Sequence, residues 1–313
     1  MNQSSYTKGV FRETDGFICL YNVLSTIRYT DSNEVKEGAR LLRLIRLILE
    51  IVSDATFEHD ENLRFYQVSL PHDYCMNTVD FLSQLSIGYE PLASALETLP
   101  TNAETTTAIL GLLFSFIVHD FTMENLLKGL HCLEIDTVDD ILKKYDPNPQ
   151  LIRHPPALSL LWSFSQRGWT SPSLRLGLSR ILGHLASARH RNLAAMSDAG
   201  LLLPILDHFR SSKGDSSVSE KERHAWQKLL RQLLELRADP AYGRVILQKT
   251  IQEGGTLDPE ILDLVRYGMK SRWVDHFSLE SVSGIKVNDL ERKTLPNSGI
   301  TFLVRILQSG LDT

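Results

Sequence analysis

His190-Arg-Asn-Leu-Ala-Ala-Met-Ser-Asp-Ala-Gly200-Leu-Leu-Leu-Pro-Ile-Leu206 carries a helix, its stop and the start of the next helix in one short run. Leu193, Met196 and Ala199 recur at helical spacing, Gly200 stands where a last turn closes through positive φ, and Pro204 falls near the start of a second helix. The stretch therefore predicts two helices meeting at Gly200, with Leu201, Ile205 and Leu206 buried. The same order of Asp, Gly and a following apolar run appears at Phe11-Arg-Glu-Thr-Asp15-Gly16-Phe17-Ile-Cys-Leu20. A joint that recurs is the mark of a helical repeat array.

The rest of the chain extends this pattern. Phe17, Leu20, Tyr21, Leu24 and Ile27 form one buried stripe after Gly16. Glu34 to Val52 is the strongest helical signal, with Leu41, Leu42, Ile45, Ile48, Leu49 and Val52 inward; its apolar arc is broad enough to predict cover on more than one side. Shorter helices are predicted at 57–70, 78–85, 91–99, 122–130 and 137–144, the last with Asp136 as a candidate cap. Glu104 to His119 is apolar almost all round, which places it in the middle of the array. Helices at 157–166, 172–189, 222–238, 242–252 and 259–267 come next, with a polar loop over Arg210 to Glu220. After Tyr267 the pattern changes to alternation at Trp273–Leu279 and a turn entering an apolar strand at Leu295–Val304.

Composition narrows the function classes. The 313 residues are 42% hydrophobic and 23% charged, the profile of a folded chain, and 33 basic against 38 acidic side chains give a net charge of −5. That balance gives no general drive toward nucleic acid, and none is expected as a partner. Cys19, Cys75 and Cys132 lack CxxC spacing, so neither a disulfide framework nor a zinc knuckle is suggested, and a reducing, cytoplasmic setting fits. The apolar run Ala108–Val118 is too short for a membrane span.

Motifs for chemistry are sparse. His184 and His190 are six apart, His154 stands alone before two prolines, and no HExxH, GxSxG, GxGxxG or GxxxxGK[ST] string occurs, so neither metal nor cofactor is expected. Glu58, Asp60 and Glu61, or Asp136, Asp139 and Asp140, offer paired carboxylates, but at helix starts such clusters are solvated charges first. The basic ridge Lys36, Arg40, Arg43 and Arg46 is the candidate binding site, for an acidic partner or phosphoinositide head groups. A second set, Arg167, Arg175, Arg180, Arg189 and Arg191, is scattered. Asn192 reads as structural, its amide placed to bond backbone left unpaired between repeats.

Taken together, Phe11-Arg12-Glu13 leading to Gly16-Phe17, His190-Arg191-Asn192 leading to Ala199-Gly200-Leu201, Trp273 with His276-Phe277, and Leu290-Glu-Arg-Lys-Thr-Leu295-Pro296 through Gly299-Ile-Thr-Phe302 resemble the armadillo-like region of the BEACH-domain proteins, the neurobeachin, beige and autophagy-linked FYVE group. The resemblance implies an all-α, armadillo/HEAT-like helical solenoid over residues 1–270, and a short, truncated β segment over 271–313 that opens a concanavalin-A-like domain. It implies a non-catalytic scaffold in vesicle trafficking or selective autophagy, binding protein partners and peripheral to membranes. After Phe302 the chain departs from the family pattern, since Leu303-Val-Arg-Ile-Leu-Gln-Ser-Gly310 trails without the expected aromatic strand. Functions of the BEACH domain, its pleckstrin-like partner, WD repeats or a FYVE finger do not carry over. An unrelated armadillo-type adaptor and an enzyme on an α/α fold stay open as alternatives. A deep closed pocket lined by two or more carboxylates would mark the enzyme, and a shallow groove the scaffold.

Overall fold

The computed structural model describes residues 5–27, 35–67, 89–131, 133–143, 145–147, 150–213, 218–235, 240–251 and 257–269. Among them the regular structure is helical. In chain order the helices are α1 (Ser5–Glu13), α2 (Gly16–Thr26), α3 (Val35–Thr56), α4 (Asp60–Gln67), α5 (Glu90–Glu97), α6 (Ala103–Val118), α7 (Met123–His131), α8 (Val138–Leu142), α9 (Ala157–Ser165), α10 (Pro172–Ala188), α11 (His190–Asp198), α12 (Leu202–Ser211), α13 (Glu220–Glu235), α14 (Pro240–Lys249) and α15 (Pro259–Met269). A lone antiparallel bridge pairs Ile251 with Leu257. The helix predicted at 78–85 and the alternating tail after 270 lie outside the described residues.

The Gly200 joint closes as its sequence dictates. Gly200 has φ 70°, its N–H donates to the Ser197 carbonyl at 2.9 Å, and the Leu201 N–H reaches the Met196 carbonyl at 3.3 Å. These are the two bonds of a Schellman stop, and Leu201 and Met196, the positions where such a stop places apolar side chains, are both buried. Ile205 and Leu206 are buried too. The copy near the start of the chain works differently: Asp15, not Gly16, takes the left-handed conformation, at φ 60°. Gly16 is needed for space, because a Cβ there would lie 2.6 Å from the Phe11 carbonyl oxygen and closer still to its ring.

A deeper repeat lies in the short helices that succeed the long ones. Asn192 is the third residue of α11 and fully buried; its Oδ1 accepts from the Ile152 N–H at 2.9 Å, and its Nδ2 donates to the carbonyls of Gln150 and Leu185, both at 3.1 Å. Asn62 is the third residue of α4 and also fully buried, with Nδ2 donating to the carbonyls of Lys8 and Ala55, both at 2.9 Å. In each case one bond returns to the long helix seven residues back and another crosses to a distant segment. Asn192 thus has the structural role that its place in the sequence predicts, and Asn62 repeats it.

Packing runs stepwise along the chain. α6 contacts α3, α7 and α9; α10 contacts α7, α8, α11 and α13; α13 contacts α12 and α15. Each helix touches neighbours and little else, the property of a repeat array. α6 is the helix predicted to be central, and every residue from Ile109 to Val118 is buried. α10 starts at Pro172 as predicted, with Ser171 Oγ accepting from the Leu174 N–H. Between α10 and α13, the fully buried Glu222 carboxylate accepts from Arg175 Nε at 3.1 Å and from Trp226 Nε1 at 3.5 Å.

Two expectations need correction. Asp136 does not cap α8; it sits in a 3₁₀ turn, Ile135–Thr137, and its carboxylate bonds Lys221 at 2.6 Å. The expected cover of α3 is incomplete: α1, α2, α4 and α6 pack against it, but Leu44, Leu47 and Ile51 are exposed.

Candidate protein-binding cleft

Small residues bring three helices together around an open cleft. Gly38 lets α3 approach Pro100, whose ring would lie 3.2 Å from any added Cβ, and Gly111 lets α6 approach the α7 backbone at Glu124, 3.3 Å from such an atom. The start of α6 is fixed by Asn102, whose side chain accepts from the Thr105 N–H at 2.7 Å. The space left between α3, α6 and α7 is about 500 Å³ and open to solvent on one side. Leu42, Pro100, Ala108 and Leu112 give it an apolar floor.

Charge lines the rim. Arg43 and Arg46 of α3 and Lys128 of α7 stand around it, with Glu104 and Glu124. Arg46 Nε lies 3.0 Å from Glu50 and 3.2 Å from Glu124, so it is held in place rather than available. Burial pushes the Glu124 carboxyl up, against the pull of Arg46 and then Lys128. Arg43 and Lys128 are exposed, with no ion pair among the described residues.

The structure divides the predicted basic ridge. Arg43 and Arg46 line the cleft, whereas Arg40 is exposed outside it. Lys36 belongs to α3, but its side chain lies outside the described residues. Lys128 and Glu124 are not legible as site residues from sequence; they sit far from α3 along the chain, and only the approach of α7 to α6 brings them to the rim.

The other candidates resolve as structural charges. Glu61 is exposed and pairs with Arg12 at 2.7 Å, which lowers its carboxyl below the usual range. Asp139 pairs with Arg180 at 3.4 Å and Asp140 with Lys143 at 2.6 Å. Arg167 stacks 3.8 Å over Phe164. His154 is a core residue, stacked on Phe116 with ring centroids 4.0 Å apart; its Nδ1 lies 2.9 Å from the Tyr89 hydroxyl. Among the described residues no three His, Cys, Asp or Glu side chains group as metal ligands, and no helix is long and apolar enough to cross a membrane.

A family model for armadillo-like repeats matches residues 1–238. The chain belongs to the armadillo-like repeat family. No curated protein and no solved structure matches it. In this armadillo-like chain the matched span contains the Asn62 and Asn192 clamps, the Gly200 joint and the whole α3–α6–α7 cleft.

Proposed function

We propose that this armadillo-like chain is a non-catalytic scaffold whose α3–α6–α7 cleft takes an acidic, partly apolar segment of a protein partner. The observation that carries the reading is the pairing of two exposed cations without an ion pair among the described residues, Arg43 and Lys128, with the apolar floor beneath them. An apolar side chain fills such a floor while neighbouring carboxylates meet the rim. Armadillo-like repeats generally mediate protein binding, which supports a partner of this class.

Two carboxylates do line the cleft, as an enzyme on this fold would need. However, the cleft is open, and Glu124 is engaged by Arg46. Both features favour binding over catalysis.

The test is fluorescence anisotropy with a labelled short peptide alternating Glu and Leu, beside sedimentation of the protein with vesicles containing phosphoinositide. Binding of the peptide that weakens about tenfold in Arg43→Glu/Lys128→Glu, with helical circular dichroism intact, supports the reading. Vesicle binding without peptide binding overturns it in favour of a lipid ligand.

The finer part of the proposal is that residues 1–270 form the helical repeat region of a BEACH-type protein in vesicle trafficking or selective autophagy. Residues 271–313 are then the opening of a concanavalin-A-like domain, and the setting is cytoplasmic and peripheral to membranes. It rests on the resemblance at Phe11–Phe17, His190–Leu201 and Leu290–Phe302. Full-length transcript sequencing tests it: an open reading frame that continues into a BEACH domain is expected, and its absence at the locus counts against the assignment.

A further inference from the structure

The outward face of α3 is built as a line. Arg40, Leu44, Leu47, Ile51 and Asp54 succeed one another at steps of four, three, four and three residues, which places them along one side of a helix. The opposite side holds the buried Ile45, Ile48, Leu49 and Val52. Leu44, Leu47 and Ile51 are 39%, 49% and 45% exposed, three long apolar side chains in a row on a surface. Arg40 and Asp54 close the line at its two ends, each exposed and without an ion pair among the described residues.

The charges are symmetric about Leu47, with Arg40 seven residues before it and Asp54 seven after. We propose that this face pairs with α3 of a second copy of the chain, antiparallel, with the two-fold axis at Leu47. Such an axis carries a residue seven before the centre onto a residue seven after it, so Arg40 meets Asp54 of the second copy at both ends of a line about 21 Å long. Between them, Leu44 and Ile51 of each copy flank the central pair of Leu47 side chains. A parallel pairing would set Arg40 on Arg40 and Asp54 on Asp54, which like-charge repulsion disfavours. This end-for-end complementarity is what a two-fold self-association requires. Three half-exposed apolar side chains per copy are fewer than the roughly 800 Å² a side of a stable interface provides, so the dimer forms and dissociates with concentration.

Sedimentation velocity of the full chain over a concentration series tests this. Reversible dimerisation is expected in the native chain, and Leu47→Glu, at an exposed position, abolishes it while leaving circular dichroism unchanged. Arg40→Asp and Asp54→Arg each raise the dissociation constant about tenfold or more, since each sets like charges against one another. Mixing those two single variants restores association, because each then supplies the charge the other lacks. A native chain that stays monomeric throughout overturns the proposal, and so does a dimer that the mixture fails to restore.

Discussion

Nδ2 of Asn192 donates to the carbonyl of Leu185, seven residues back in the preceding long helix. That carbonyl belongs to the last turn of α10, where no helical N–H remains to satisfy it. With its other two bonds, to Gln150 and Ile152, Asn192 joins α10, α11 and the segment before α9.

Asn192→Ala is therefore expected to cost about 3–5 kcal/mol, because three buried backbone groups lose their partner together. Asn62→Ala should cost less, about 1–3 kcal/mol, since it breaks two bonds and removes a carbonyl oxygen that is itself buried without a partner. Thermal melts followed by circular dichroism check the order; equal losses would contradict it.

The two glycines of the recurring joint are expected to respond differently to the same changes. Gly200→Asn should be tolerated and Gly200→Ala should cost about 1 kcal/mol, since the demand there is positive φ. At Gly16 both changes should be worse, because any Cβ meets the Phe11 carbonyl. Melting temperatures of the four variants distinguish a conformational demand from a steric one.

Arg175→Ala leaves the buried Glu222 carboxylate without its guanidinium and is expected to cost about 3–5 kcal/mol. Arg175→Ala/Glu222→Leu should recover much of the loss, as the uncompensated charge is then gone. Chemical denaturation of the single and double variants measures the recovery; a double variant less stable than the single one would show that Glu222 is held mainly by other groups.

Burial lowers His154 to about 3, against about 6.5 in an unfolded chain. Between those values the unfolded chain binds a proton that the folded one refuses, so stability falls as pH drops from about 6.5 toward 3. The slope from this residue reaches about 1.4 kcal/mol per pH unit. His119 and His184 shift in the same direction, also through burial. His154→Gln should flatten the pH dependence of the melting temperature between about pH 7 and 4.5, and an unchanged slope would place the proton elsewhere.

Much of the array is legible in the sequence because its information is local. The stripe from Phe17 to Ile27, the all-round apolar α6 and the Gly200 stop each reside in a few consecutive residues, and each folds as its spacing predicts. The site is only half legible for the same reason. Periodicity groups Arg40 with Arg43 and Arg46 on one helix, but the neighbour that makes a cleft on one side of α3 and leaves solvent on the other is set by distant contacts at Gly38–Pro100 and Gly111–Glu124. Asn62 escapes notice in the sequence because a buried clamp asparagine has the same spelling as a surface one. Asp136 has the local signature of a cap, but Lys221, its actual partner, lies on another helix.

The clamp at Asn62 also orders events during synthesis. It holds the Lys8 carbonyl of α1, 54 residues earlier in the chain. Helix α1 therefore lacks this bond, whatever it gains from α2 and α3, until the start of α4 has emerged behind it. Truncated nascent chains released before Asn62 should leave α1 open to protease, and chains a few residues longer should protect it. Helix α1 is thus completed by a residue made long after its own.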